Sequence, residues 1–260
     1  MLSYQHSYHA GNLADLHKHG LLAKALEYMT RKDKPVSYIE THAGRGIYDL
    51  RSHEAVKTGE AAQGIGAHSA WFGSDHPLTR VRSDLSKTRG RSFYPGSPAI
   101  AAGILRETDN LHLAELHPQE NAALSSYFGR RANIHKQDGF DLAHALTPPN
   151  PRRGLMLIDP SYEVKSDYAA IPTHVRKLHK AWNVGVIMLW YPILTNGAHI
   201  PMVTALTSGF PDAWIHEVAF PPARPGHGMV GSGMFILNAP YGLDEEMRRL
   251  DRCFDRLTKR

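Results

Sequence analysis

The sequence predicts an α/β fold, a single domain over residues 1–260 built on a mostly parallel sheet with helices on both faces. Three observations carry this expectation. Short apolar, β-rich runs recur along the chain, separated by helix-length segments. The first of these runs breaks directly into a glycine-containing loop. A balance of 42% hydrophobic to 21% charged residues is that of a packed chain and excludes a disordered one.

Taken in order, the elements begin with a helix. Asn12 suits an N-cap with Asp15 three positions on, and Leu13, Leu16, Leu22, Leu26 and Met29 continue the pattern toward Pro35, so that His17, Lys18 and His19 ride on this helix. The run 36–41 (VSYIET) reads as the first strand, delivering the turn His42-Ala43-Gly44-Arg45-Gly46. Further strands are expected at 111–116, 133–137, 155–158 and 184–190. The last two, 214–220 and 234–238, are joined by a Pro/Gly-rich stretch without a helix signal, which predicts an antiparallel hairpin at the sheet edge. Between 51 and 92 the alternation lapses. There Arg80, Arg82, Lys87, Arg89 and Arg91 face Asp84 alone, which predicts an inserted, basic, mainly helical subdomain able to contact phosphates. Tyr94-Pro95-Gly96-Ser97-Pro98 reads as a turn followed by an N-cap at Ser97 and a first-turn proline.

Lys and Arg number 30 against 25 Asp and Glu, a formal charge of +5 that favours a polyanionic partner. No apolar run reaches the roughly 18 to 20 residues of a membrane helix, so no membrane partner is expected. The N-terminal MLSYQHSYHAG has no secretory pattern, and Cys253 is the sole cysteine, so a cytoplasmic location is expected. His9, His17 and His19 raise the question of a metal, but no cysteine cluster or H-E-x-x-H helix accompanies them and none is expected.

The chemistry is expected where the strand 155–158 ends in Asp159-Pro160-Ser161-Tyr162, because ligands of open parallel sheets bind beyond the carboxyl ends of the strands. An adenine N6 is a poor nucleophile, its lone pair being delocalised into the ring. The Asp159 carboxylate and the Pro160 carbonyl together suit the two N6 hydrogens, and Tyr162 offers a face on which a flipped base stacks. Glu115, at the end of the second strand, suits ribose hydroxyls, although it lies much further from the glycine loop than the usual ~20 residues; the insertion accounts for the gap. Asp138-Gly139 suits an adenine amino group, and the helix start near Ser97 suits a carboxylate.

These residues bring a family into view. The opening Leu2-Ser3-Tyr4, His9-Ala10-Gly11-Asn12 with Lys18-His19, Thr41-His42-Ala43-Gly44, Tyr94 to Pro98, Glu115-Leu116-His117-Pro118, Asp138-Gly139-Phe140, the Asp159 motif and Leu189-Trp190-Tyr191-Pro192 resemble the RlmJ family of 23S rRNA adenine-N6 methyltransferases across almost the whole chain. The resemblance implies a class I, Rossmann-like S-adenosylmethionine-dependent methyltransferase sheet with an inserted small helical subdomain. It implies cofactor contacts at His19, His42, Ser97, Glu115, Asp138 and Gly139, a catalytic acceptor at Asp159, and RNA contacts at Tyr4, with Lys18 in the same N-terminal site. Ser161 departs from the family motif, which usually has a second proline there. The implied partner is 23S rRNA, with no protein partner required and a monomer expected. A DNA adenine-N6 methyltransferase and a non-catalytic nucleic-acid-binding protein serving the use of external DNA remain alternative readings at this point.

Overall fold

The computed structural model describes residues 5–258. Its sheet has seven strands: β1 (Ser37–Glu40), β4 (Asn110–Ala114), β5 (Asn133–His135), β6 (Gly154–Ile158), β7 (Val186–Leu194), β8 (Trp214–Ala219) and β9 (Met229–Leu237), in the order β5-β4-β1-β6-β7-β9-β8. The first five pair in parallel, whereas β9 runs antiparallel to both β7 and β8. This is the class I methyltransferase arrangement that the resemblance implies. The last two strands do form an antiparallel pair, but β9 is inserted between β7 and β8, so only β8 is an edge. That explains their patterns. β8 alternates in burial, while β9 is covered on both faces over most of its length.

Two further strands, three residues each, flank the segment where the alternation lapses and are not marked by the pattern. β2 (Ile47–Asp49) and β3 (Phe93–Pro95) pair as an antiparallel ribbon, so Tyr94 and Pro95 are strand and not turn. Residues 51–92 leave and return through this ribbon and contain α2 (His53–Thr58), a π-helical turn at Ala62–Gly66, a 3-10 turn at Ser69–Trp71 and α3 (Pro77–Arg89). This segment is clamped to the C-terminal helix α9 (Leu243–Thr258). His76 Nε2 lies 3.2 Å from Glu246, whose carboxylate also takes two hydrogen bonds from Arg249. Around the sheet pack α4 (Ser97–Ile104), α5 (Pro118–Phe128), α6 (Gly139–Leu146), α7 (Asp167–Ala181) and α8 (Ile200–Gly209). The cap of α4 is Gly96; Ser97 is its first helical residue, and its hydroxyl turns inward to Glu40 instead of capping.

The first helix, α1 (Leu13–Thr30), positions the site. Asn12 caps it, accepting from the Asp15 N–H at 2.9 Å, as the sequence predicts. It packs against α3, α4, α9 and β9 and is buried on nearly all sides, so polar residues in its first turns are buried with it. Asp15, His17, Lys18 and His19 are each no more than 3% exposed.

Burial of these groups has a pH signature. Burial holds the His17 imidazole well below its usual range and pushes His19 down to about 3, so both are neutral in the folded chain while their unfolded counterparts take up protons below about 6.5. Their contribution to stability is present above pH 6.5 and falls away as the pH drops below it. Glu40 acts in the opposite sense. Burial pushes its carboxyl up to about 8, and the stability linked to its proton declines as the pH rises from about 4.5 to 8. The unfolding free energy, followed through the denaturant midpoint, is expected to be highest near pH 6 to 7 and to fall on both sides, by about 1.4 kcal/mol per pH unit for each net proton. A midpoint that kept rising from pH 7 to 8 would contradict this.

Candidate active site

The loops that follow the parallel strands converge on one cavity of about 510 Å³. Thr41 to Gly44 enter it after β1, Glu115 to His117 after β4, Asp138 to Phe140 after β5, Asp159 to Val164 after β6 and Trp190 from β7, and the start of α1 closes one wall. This is the crevice expected at the strand ends where the order reverses about β1 and β6. His19, His42, Ser97, Glu115, Asp138, Gly139, Lys18, Asp159, Pro160 and Tyr162, ten residues singled out from the sequence, all line it. Tyr4 lies outside the described residues.

At the centre is Lys18. Its ammonium lies 2.6 Å from Asp159 Oδ2 and 3.1 Å from Asp15 Oδ1. Burial alone would depress the lysine, but the two carboxylates outweigh it and hold its pKa above the ordinary value. Asp15 is satisfied in turn by the Gly11 N–H at 2.8 Å and by His6 Nε2 at 3.0 Å. Lys18 is therefore enclosed in the cavity wall, where it fixes one oxygen of Asp159. Oδ1 of Asp159 meets no partner among the described residues.

The other end of the cavity is built on backbone contacts. Glu115 Oε2 accepts from the Gly44 N–H at 2.8 Å and Oε1 from the His117 N–H at 2.7 Å, which fixes the carboxylate beside the glycine loop; burial raises its pKa. Gly44 has φ +61, a conformation costly for residues with a Cβ. Asp138 caps α6, its Oδ1 accepting from Phe140 and Asp141 N–H groups at 2.8 and 3.0 Å. Gly139 passes so close to the Thr41 carbonyl that a Cβ would collide with it, which accounts for glycine there. Burial pushes His42 down to about 4, so this wall carries a neutral imidazole.

Beneath these, Glu40 accepts from Tyr38 Oη at 2.8 Å and from the Ser97 hydroxyl. His19 meets Tyr94 Oη at 2.9 Å through Nδ1. With a pKa near 3 it is uncharged, and its 3.6 Å approach to Asp15 is not an ion pair at neutral pH. Tyr162 is buried, with φ +57, and its hydroxyl donates to the Trp190 carbonyl at 2.6 Å. Its ring packs against Tyr168, with centroids 4.6 Å apart.

His9, His17 and His19 do not converge. His9 turns to Glu60, His17 to Ser232 and His216, and His19 to Tyr94. Asp15 and Trp190 are among the cavity residues to which the sequence gives no role. The Asp15-x-x-Lys18 spacing on one helix face is the signal for the first; Trp190 lies within the Leu189 to Pro192 motif.

A family model described as "Ribosomal RNA large subunit methyltransferase D, RlmJ" matches residues 33–258. The chain is 40% identical to "Ribosomal RNA large subunit methyltransferase J" of Escherichia coli (strain K12) over 258 residues, covering 96% of this chain and 91% of that protein. It is 37% identical to the protein of that name from Haemophilus influenzae (strain ATCC 51907 / DSM 11121 / KW20 / Rd) over 259 residues, covering 96% and 92%. A crystal structure from Legionella pneumophila str. Philadelphia 1 superposes with a TM-score of 0.86 at 33% identity, covering 96% of this chain and 94% of that one. A shared fold and matches of this length lead to one conclusion: the chain belongs to the RlmJ family of ribosomal RNA large subunit methyltransferases.

Proposed function

We propose that the chain transfers a methyl group from S-adenosylmethionine to N6 of a specific adenine in 23S rRNA. The observation that carries this reading is Asp159, held by Lys18 at 2.6 Å just beyond β6 in the cavity, its second carboxylate oxygen without a hydrogen bond among the described residues. Family membership supports the ribosomal RNA substrate over DNA and over a non-catalytic role.

The lining fits the methyl donor. Glu115 beside Gly44 suits the ribose hydroxyls, Asp138 and Gly139 the adenine, His19 and His42 the body of the molecule, and the side-chain-uncapped start of α4 at Gly96 and Ser97 its carboxylate. Bound there, S-adenosylmethionine supplies an electrophilic methyl group. The Asp159 carboxylate and the Pro160 carbonyl then accept the two N6 hydrogens and aim the nitrogen lone pair. Positive charge develops on N6 only as the bond forms, which is where a fixed carboxylate stabilises most. Lys18 positions that carboxylate, and Asp159 or water receives the proton afterwards. Tyr4 and Tyr162 belong to the RNA side of the site in this reading.

The RNA surface in this reading is narrower than the cationic run in 51–92. Arg80 is paired with Glu27 and Lys87 with Asp84, while burial lowers the pKa of Arg82. Arg89 and Arg91 meet no carboxylate among the described residues. Arg89 stacks on Tyr127 at 5.7 Å, with Arg131 on the same ring at 5.1 Å and exposed Arg130 beside it. Tyr127 is about 10 Å along α5 from Glu120, which lines the cavity. Nucleotides flanking the target adenine would reach these cations. The segment 51–92 thus acts as a basic arm of one domain.

Two measurements test this. Asp159→Ala is expected to keep cofactor affinity within about threefold while single-turnover transfer falls by several orders of magnitude. Asp138→Ala is expected to weaken the cofactor, with transfer partly recovered at saturation. Near-normal turnover in Asp159→Ala would overturn the assignment. For the surface, the double variant Arg89→Gln with Arg131→Gln is expected to weaken rRNA binding and to reduce the slope of log affinity against log salt by about 1.4 to 1.8. An unchanged slope would place the RNA elsewhere.

A further inference from the structure

A chain of buried polar groups runs from the surface to the cavity and is not used by the mechanism above. Trp190, a cavity-lining residue, donates from Nε1 to Ser232 Oγ at 2.8 Å. Ser232 Oγ lies 2.8 Å from His17 Nδ1, His17 Nε2 lies 2.8 Å from His216 Nδ1, and His216 Nε2 lies 2.9 Å from Asp251 Oδ1. Ser232 and His17 are fully buried and His216 is nearly so, whereas the Asp251 side chain is 51% exposed. The four groups come from α1, β8, β9 and α9, so no local turn or cap accounts for them.

The chain has a direction. An indole N–H only donates, so Ser232 accepts it, and the serine hydroxyl hydrogen is free to pass to His17 Nδ1. His17, held neutral by burial and by the neighbouring His216, then carries its one hydrogen on Nε2 and donates to His216. His216 donates onward to the Asp251 carboxylate. Every link is satisfied, and each polarises the next.

Its inner end bears on the reaction centre twice. The Lys18 ammonium lies 5.4 Å from the Trp190 ring centroid, and the Trp190 carbonyl accepts the Tyr162 hydroxyl from the loop that carries Asp159. On the methyl-transfer reading above, we propose that Ser232, His17 and His216 form a positioning relay, anchored by Asp251, that fixes the Trp190 indole as the wall against which the Lys18–Asp159 pair is set. Packing alone would be served as well by apolar side chains of similar volume. A directional chain ending on one ring nitrogen sets the tilt of that ring.

The test combines spectroscopy with kinetics on the full chain. The Trp190 indole ¹⁵N–¹H signal is identified with Trp190→Phe, and the Lys18 Nζ signal is followed beside it. In Ser232→Ala both signals are expected to move. Transfer at saturating S-adenosylmethionine and rRNA is expected to fall about tenfold, the worth of one hydrogen bond, with cofactor affinity within about twofold. Asp251→Ala, at an exposed position that spares the fold, is expected to move both signals and the rate in the same direction by less, and Asp251→Asn, whose carboxamide oxygen still accepts, to restore them. Signals unmoved in Ser232→Ala, or moved with a rate within about twofold, would overturn the relay. Absence of transfer by the unaltered chain would instead count against the methyl-transfer reading, and the Lys18 and indole signals would still decide whether the relay sets Trp190 beneath the ammonium.

Discussion

The site depends on one buried ammonium. Lys18, 3% exposed, sits between Asp15 and Asp159, and desolvation of these charges is offset only because each meets an opposite charge at hydrogen-bond distance. Loss of either carboxylate leaves the lysine one partner, whereas loss of the lysine removes the cation that both carboxylates share. The arrangement therefore demands a helix whose polar face is itself enclosed, which α1 provides by packing between β9 on one side and α3, α4 and α9 on the others. The 51–92 segment contributes to that enclosure through α3, and the His76–Glu246–Arg249 clamp holds it to the C-terminal helix.

The sheet supplies the second constraint. Parallel strands deliver their loops to the same edge, so a glycine loop, two acidic residues and the Asp159 motif, separated by long stretches of chain, meet in one cavity. Acidic groups at one end and the lysine-held carboxylate at the other divide it into a part suited to the methyl donor and a part suited to the base. The relay from Asp251 supports the second part from behind, through His17 on α1 and the Trp190 indole.

Much of this was legible in the sequence. Five strands, the capped first helix and the Asp159 motif followed from periodicity and turn chemistry. The β2–β3 ribbon was not legible, since its two short strands flank the segment in which the strand alternation lapses. The insertion of β9 between β7 and β8 was hidden because strand order is set by packing and not by the hairpin's own residues. Ser97 looked like a cap, but a buried Glu40 competes for its hydroxyl. The basic run of 80–91 looked uniform apart from Asp84, and only folding brought Glu27 to Arg80 while leaving Arg89 beside Tyr127. Trp190 acts through partners distant in sequence, Ser232 and Tyr162, which no local pattern records.

The most direct test is the single-turnover rate of Lys18→Met on 23S rRNA, measured beside cofactor affinity. Methionine matches the lysine stem as far as Cε and removes the charged ammonium. The rate is expected to fall by about a hundredfold or more while S-adenosylmethionine affinity stays within about threefold, because the lysine sets the carboxylate that orients N6 and does not hold the methyl donor. A Lys18→Met chain that transferred methyl groups at close to the normal rate would contradict the account at its centre.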